Sequence, residues 1–408
     1  MSAMPNAHGY RRSMLAAAFF FAGPGLAYGL FVSRLPALRE RTGADDADLG
    51  LALLLMGVAS LAALLLSQSI ISRCGSHRLL APLMVLIAAV MLALGQSSSV
   101  TGLTASCAAL GFCIALMDVA INTQGIIIEQ VFSSKSMSRL HASYNLGGIG
   151  GALLASLGAF LAWSPLLNFT LVMIAYCAAV CPVSRGLISD HAATDAQRQN
   201  ARLQRRGCLA MPGVIYLCSL LTMGGYMAEG SVGEWGSMLL YAYKGAGEAV
   251  AALVYGTFSV ASVLSRLGAD WLRARLREDL MVAGCSAAAA VSLAAAVCLE
   301  SPAAALACYA LMGLCLGPVV PILFSLAGTV RGVTAAEASS FVGVMAYSGL
   351  LLFPPAIGFA AEYAGLDRAL LIPVAVCALM TAGSLCLRSQ MLAASRRQEG
   401  EIRPGTHP

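Results

Sequence analysis

The sequence predicts an all-α membrane protein whose twelve transmembrane helices form two pseudo-symmetric six-helix halves. Hydrophobic residues make up 59% of the 408 residues and charged residues only 11%, whereas about 25% of the residues in a soluble domain are charged. Apolar segments long enough to cross a bilayer recur along the chain. A polar connector near the middle of the chain divides these segments six and six.

Twelve apolar runs are predicted as spans, because a helix of about 20 apolar residues crosses the hydrocarbon core of a bilayer. The first run is interrupted by Gly23-Pro24-Gly25 and lacks a cleavage site of small residues, so we expect it to remain in the mature chain. In chain order the runs cover residues 14–33, 49–71, 79–96, 100–125, 142–162, 165–183, 212–238, 248–267, 280–298, 302–327, 339–360 and 369–387.

The distribution of Lys and Arg tests the number of spans, because cytoplasmic loops carry an excess of these residues. With twelve spans and a cytoplasmic N-terminus, 20 of the 25 Lys and Arg fall in inner segments and five in outer ones. A missed or additional span would scramble this bias from that point onward. We therefore expect a multi-pass protein of a bacterial inner (cytoplasmic) membrane with both termini in the cytoplasm.

The spans are expected to form two halves joined by a linker. The predicted parts are an N-terminal half (1–183), a cytoplasmic linker (184–211), a C-terminal half (212–387) and a cytoplasmic tail (388–408). The halves echo each other, since SRCG at 72–75 follows span two and SRLG at 265–268 follows span eight. Duplicated six-helix halves are typical of one large class of secondary transporters.

Several function classes are excluded by the motifs. The chain contains no GxxxxGKS or GxxxxGKT motif, no Ser/His/Asp arrangement and no Cys or His spacing typical of metal ligands, so we expect neither an enzyme nor a cofactor. Most of the thirteen cysteines lie inside apolar runs and are interpreted as packing residues. The basic residues form no single patch, which argues against nucleic acid. With no dedicated association segment, we expect a monomer in the lipid bilayer.

Span four carries the most unusual polar residues of the chain. Asp118, Asn122 and Gln124 lie in an otherwise apolar run, and Asp118 and Asn122 share one helical face. A carboxylate at membrane depth costs several kcal/mol unless it is paired, hydrated or protonated. One interpretation is a polar clamp between helices near the cytoplasmic surface. We favour the other, a proton or substrate site.

Motifs in three spans carry a family resemblance. Residues 117–125 read MDVAINTQG, residues 141–148 read HASYNLGG, and Glu229-Gly230 precedes EWGS at 234–237. In these motifs the chain resembles the bacterial major facilitator superfamily, and within it the sugar-permease-like branch that includes fucose permease-type proteins. The resemblance implies the major facilitator fold and transport of a sugar, a polyol or a related compound.

The resemblance extends to the loops that follow spans two and eight. The family motif after span two is G-x-x-x-D-R-x-G-R-R, and Arg73 matches it while Ser72 stands at the acidic position. Arg266 and Asp270 are similar to the corresponding second-half motif. The resemblance implies that Arg73, and Arg266 with Asp270, hold a cytoplasmic gate. For Arg73 a purely topogenic charge is the alternative.

Three acidic residues inside the spans or near their margins are candidates for the chemistry, namely Asp118, Glu229 and Glu234. A carboxylate that alternates between buried and hydrated surroundings can bind and release a proton. We expect Asp118 and Glu229 to carry protons, with a structural hydrogen bond beside neighbouring glycines as the alternative for Glu229. Glu234 is expected near the outer surface, as a gate or a solvated residue. His141 is expected at the gate, as a proton shuttle or a hydrogen-bond partner of Asp118 or Glu129.

A polar solute requires donors, acceptors and a ring near the midplane. Spans four and five supply amides, and spans one and seven supply aromatic residues. Span eleven adds a tyrosine that echoes Tyr144. For a Tyr or Trp, interfacial anchoring or core packing is the alternative. The expected substrate contacts are Tyr28, Asn122, Gln124, Tyr144, Asn145, Trp235 and Tyr347.

The predicted function is secondary active transport of a small polar solute by alternating access, coupled to protons. The direction of transport stays open. One alternative is a proton-driven exporter of a drug-like or metabolic compound. Another is a non-transporting membrane sensor on the same fold, although the polar residues of spans four and seven argue against it.

Overall fold

The computed structural model describes residues 7–132, 134, 136–190, 211–330, 333 and 335–401. Within these residues the chain forms helices joined by short connections. A π-helical turn, Leu239–Tyr243, continues α9. The helices are α1 (Ala7–Ser33), α2 (Leu35–Thr42), α3 (Asp46–Cys74), α4 (Ser76–Gln96), α5 (Val100–Phe132), α6 (Met137–Phe160), α7 (Pro165–Cys177), α8 (Val180–Ser184), α9 (Gly213–Met238), α10 (Glu248–Ala251), α11 (Leu253–Arg273), α12 (Glu278–Cys298), α13 (Pro302–Leu316), α14 (Val319–Gly328), α15 (Ala335–Ala364), α16 (Leu366–Ala369) and α17 (Leu371–Glu401).

The helices coincide with the predicted spans. Within the described ranges, nine helical segments are long and apolar enough to cross a membrane. The remaining three predicted spans coincide with α6, α9 and α15, which contain 24, 26 and 30 residues. At about 1.5 Å per residue even 24 residues extend about 36 Å, which exceeds the hydrocarbon thickness of about 30 Å. The predicted all-α membrane fold is therefore confirmed, and the count of twelve fits it.

Predicted span ten is broken between α13 and α14, and prolines explain the break. The Gly317 carbonyl would accept a hydrogen bond from residue 321 in a continuous helix, but Pro321 has no N–H group. The Nε of Arg266 on α11 donates to this carbonyl at 2.9 Å. A side chain of the neighbouring helix therefore satisfies a backbone acceptor that the proline leaves unpaired.

Glycines bring helix backbones into direct contact. The most extensive contact is between α1 and α6. A Cβ atom on Gly147 of α6 would lie 2.1 Å from the Ala22 carbonyl oxygen of α1, and one on Gly151 would lie 2.3 Å from the Leu26 carbonyl oxygen. Such distances leave no room for a side chain, so these glycines are required for the close packing that small residues permit in membranes.

The first half (α1–α8) meets the second half (α9–α17) along two helix pairs. Helix α3 packs against α15, and α6 packs against α11. In the first pair, a Cβ atom on Gly50 would lie 3.1 Å from the Cα atom of Gly358. Both glycines lie toward the end of the molecule that holds α2 and α10, so the halves meet tightly at that end.

Candidate functional site

Polar side chains from both halves lie near one another between the two helix bundles, in a region that we call the central cleft. The rings of Tyr28 on α1 and Tyr255 on α11 contact each other edge to face, with their centroids 5.6 Å apart. Glu229 interacts electrostatically with both tyrosines, and Asp118 interacts with Tyr226. The polar residues of the cleft are Tyr28, Asp118, Asn122, His141, Tyr144, Tyr226, Glu229, Glu234, Tyr255 and Arg266.

Asp118 and Asn122 form a unit within one turn of α5. The Nδ2 atom of Asn122 lies 3.2 Å from the Asp118 carboxylate and 2.8 Å from the Asp118 carbonyl oxygen, and it donates to both. The sequence prediction placed these residues on one face, and the structure does so. The amide of Asn122 therefore orients the carboxylate of Asp118 within the cleft.

Glu229 and Arg266 bring opposite charges to the cleft from α9 and α11. The two groups interact electrostatically, and Arg266 also acts on His141 across the boundary between the halves. Arg266 was expected to hold a gate with Asp270, whose side chain lies outside the described part of the chain. Its Nε atom donates to the Gly317 carbonyl, which the broken span beside it leaves unpaired, and its side chain is exposed.

Glu234 lies deeper in the protein than the sequence predicts. It was expected near the outer surface as a gate or solvated residue, but only 6% of it is exposed. The hydroxyl of Tyr28 donates to its Oε1 atom at 3.4 Å, and its Oε2 atom is buried with no hydrogen-bond partner among the described residues. The reason is that the π-helical turn prolongs α9 beyond Met238, which leaves Glu234 well inside the bundle.

Gln124 also has a different position from the one expected of a substrate contact. It is fully buried, and its Nε2 atom donates to Ser76 Oγ and to the Ile188 carbonyl, both at 2.8 Å. Its Oε1 atom accepts from the Ile188 N–H at 3.0 Å. These bonds occupy the amide, so Gln124 attaches the chain after α8 to the start of α4 rather than facing the cleft.

The other expected contacts divide into three groups. Trp235 is fully buried in the core, and its Nε1 atom has no hydrogen-bond partner within the described ranges. The side chain of Tyr347 lies outside the described part of the chain. Tyr144 interacts electrostatically with Tyr28, and Asn145 is half-buried beside it on α6.

His141 and Arg73 lie at the end of the cleft away from Glu234. His141 is exposed, and its ring packs edge to face against Phe21 with the centroids 5.4 Å apart. Glu129, one of its expected partners, accepts from the backbone N–H groups of Ser136 and Met137, at 2.5 and 2.9 Å. Arg73 is exposed in the last turn of α3.

Contacts between the halves concentrate at the opposite end, which we call the closed end. Arg34 is 1% exposed; its Nε atom lies 2.9 Å from Glu248 Oε1, and its Nη2 atom donates to the Trp163 carbonyl at 2.6 Å. The Tyr241 hydroxyl donates to Glu40 at 2.6 Å. Sequence reasoning treated Arg34 only as an outer charge, because its partner lies on a distant helix.

Further bonds across the boundary extend the closed end. The hydroxyl of Ser156 on α6 donates to the Ala249 carbonyl at 2.7 Å, and that of Ser237 on α9 donates to the Val32 carbonyl at 3.1 Å. By contrast, His141 and Arg266 are exposed. The halves are therefore bonded to each other at the end with α2 and α10, whereas side chains of the cleft are exposed toward the end with Arg73.

A helical membrane protein with a polar cleft between two helix bundles, shut at one end, has the architecture of a transporter. A family model described as the Major Facilitator Superfamily matches residues 14–336. The chain belongs to this superfamily of transporters.

Relatives in two bacteria agree with this assignment. An uncharacterised MFS-type transporter of Yersinia pestis is 29% identical over 357 residues, which cover 86% of this chain and 89% of the relative. The membrane protein MosC of Rhizobium meliloti is 27% identical over 384 residues, which cover 92% of this chain and 90% of that protein.

Solved structures show the same fold at low sequence identity. The nucleoside transporter NupG is similar with a TM-score of 0.70 at 13% identity, over 93% of this chain and 98% of that chain. A bacterial homologue of the human lysosomal transporter Spinster, in an inward-facing and occupied conformation, is similar with a TM-score of 0.71 at 12% identity, over 93% of this chain and 97% of that chain.

Proposed function

We propose that the protein is a secondary active transporter that moves a small polar solute by alternating access, coupled to protons. The solute class is a sugar, a polyol or a related compound. The observation that carries the proposal is the central cleft, which draws polar and charged side chains from both halves and is shut at one end. A change in which end is shut would expose the same side chains to the other side of the membrane.

The charge distribution assigns a direction to this state. In the predicted topology the closed end faces outward, and the accessible end carries the Arg-rich loops of the cytoplasmic side. We therefore assign this state as the inward-open state of the proposed cycle. The ion pair and hydrogen bonds of the closed end are the contacts that must break for solute to enter from outside.

Asp118 and Glu229 are the proposed proton carriers. Both carboxylates lie inside spans, where a permanent charge is costly unless it is paired or hydrated. Asn122 supports the carboxylate of Asp118 with a neutral amide, and no described cation lies within ion-pair distance of either carboxylate. A carboxylate in such surroundings is ionised when water reaches it and is better accommodated in its neutral form when the cleft closes.

Solute-dependent proton flux in proteoliposomes tests the proposal. Sugars, polyols and sugar acids are added to vesicles containing wild type, Asp118→Asn, Glu229→Gln or a control, Glu300→Gln, which removes an exposed acid from a loop. We expect at least one solute to drive proton movement in wild type and in the control, and Asp118→Asn to abolish it.

The possible outcomes separate the two carboxylates. Normal coupling in Asp118→Asn together with its loss in Glu229→Gln would transfer the proton-carrying role to Glu229. Normal coupling in both variants would refute the assignment of the proton to this cleft. The absence of solute-driven flux across the whole panel would contradict proton-coupled transport of a small polar solute.

A further inference from the structure

Arg266 makes contacts beyond the gating role that its motif implies. It lies on α11 at the boundary between the halves, where it interacts electrostatically with Glu229 of the second half and His141 of the first. Its Nε atom is held by the Gly317 carbonyl at 2.9 Å. The side chain is exposed and therefore accessible to whatever enters the cleft.

The bond to Gly317 leaves the outer face of the guanidinium available. Among the described residues, neither terminal amino group of Arg266 donates a hydrogen bond. Because Nε is fixed, the two terminal groups are pre-oriented in a plane, and this fork geometry matches the two oxygens of a carboxylate. Tyr226 and Tyr255, which also interact electrostatically with Arg266, add hydroxyl groups around the same space.

The neighbouring charges limit the ligand to a single negative charge. Glu229, Asp118 and the buried Glu234 are the ionisable carboxyls of the cleft, so a dianion such as a phosphate ester would meet several acidic groups and one fixed cation. A monocarboxylate would neutralise Arg266. If a proton occupies Glu229 or Asp118 at the same time, the loaded cleft carries no added charge.

We propose that Arg266 is a solute-binding residue and that the solute is a polyhydroxylated monocarboxylate, such as a sugar acid. The inference rests on the proposed transport function and narrows its solute class. The carboxylate binds the two terminal amino groups of Arg266, and the hydroxyl groups of the solute bind the amide and tyrosines of the cleft. Gly317 acts as a positioning partner through its carbonyl.

Ligand-induced thermal stabilisation of the purified protein tests binding without requiring transport, because a ligand that binds only the folded state raises its melting temperature. The probes are gluconate and glucuronate, with the neutral glucitol and glucose for comparison. The variants are Arg266→Gln, which removes the charge, and Arg266→Lys, which keeps a cation but lacks the planar fork. The control is Arg275→Gln, since Arg275 lies beyond the end of α11 and stacks on Trp271 at 3.8 Å.

We expect the carboxylates to stabilise wild type and Arg275→Gln, and Arg266→Gln to weaken their binding about 10- to 100-fold. Arg266→Lys is expected to bind with intermediate affinity, which a general loss of folding would not produce. The melting temperatures without ligand report folding separately.

Three results would overturn the inference. Binding of glucitol or glucose without binding of either carboxylate would refute the solute class but leave the transport proposal standing, provided that the neutral solute drives proton flux. Unchanged carboxylate affinity in both Arg266 variants would refute the assigned residue. Absence of binding and of flux for all four probes would count against both proposals.

Discussion

The ion pair at the closed end allows a quantitative prediction about the conformational equilibrium. Removing one partner of a fully buried ion pair costs about 3–5 kcal/mol, because the other charge remains buried and unpaired. Arg34 is 1% exposed, whereas the Glu248 side chain is 25% exposed. The two truncations are therefore unequal, since Glu248→Ala leaves a buried cation and Arg34→Ala leaves a carboxylate that water can reach.

We expect Glu248→Ala to destabilise the closed end by about 2–3 kcal/mol, less than the full value because Arg34 keeps its bond to the Trp163 carbonyl. At 1.4 kcal/mol per factor of ten, the ratio of the outward-open to the inward-open state rises about 30- to 150-fold. Arg34→Ala is expected to have the smaller effect. The matched control is Glu40→Ala, which removes an exposed contact with Tyr241 across the same boundary and should cost about 1 kcal/mol or less.

Distances between spin labels at Ser98 and Gly247 measure this equilibrium in the full-length protein. Both positions are exposed, lie at the closed end and belong to different halves. The exposed native cysteines are first replaced by serine. Glu248→Ala should add a population with a longer label distance that is rare in wild type. A distance distribution identical to that of wild type, or a larger shift for Glu40→Ala, would refute the assignment of the ion pair as the main contact.

Three further predictions concern packing and the linker. Gly147→Ala should abolish a stable fold or lower the melting temperature strongly, because its Cβ atom would meet the Ala22 carbonyl. The control Gly284→Ala should leave the melting temperature unchanged, since the space around Gly284 is open. Equal melting temperatures for the two variants would contradict the packing argument. Gln124→Ala should reduce stability by about 1–3 kcal/mol without changing solute affinity, and a selective loss of affinity would return Gln124 to the cleft. Burial raises the pKa of Asp190, but hydrogen bonds from Ser76 and His77 outweigh it and lower the pKa below its usual value. The attachment of Asp190 to the start of α4 should therefore be constant above about pH 4 and weaken as the pH falls through this lowered pKa. Hydrogen-exchange protection of the Ile188 amide measures this attachment. Protection that is unchanged both by acid and by Asp190→Asn would contradict the prediction.

Hydropathy and charge bias predicted the helical spans because both are local properties of the chain. The pairing of Asp118 with Asn122 was equally predictable, since four residues correspond to about one helical turn. The same geometry contained the signal that was missed for Gln124. It lies two residues after Asn122, so it points to another side of α5, away from the cleft.

Contacts between distant helices were not predictable from one sequence. The partners Arg34 and Glu248 belong to different halves, and nothing in either local sequence identifies the other. The position of Glu234 depended on where α9 ends, and the π-helical turn that prolongs it has no clear sequence signal. Arg266 resembles a loop motif, but its bond to the Gly317 carbonyl depends on Pro321, which leaves that carbonyl unpaired in another span.

The most direct test of alternating access is the side from which one cleft residue reacts. Ser259 lies on α11 one turn from Tyr255 of the cleft and is half-buried, and Ser259→Cys is nearly isosteric. In oriented vesicles at rest, we expect a membrane-impermeant thiol reagent to label Ser259→Cys only from the cytoplasmic side. During turnover with a solute that drives proton flux, labelling from the outer side should appear as well. Labelling from one side under all conditions would contradict transport through this cleft.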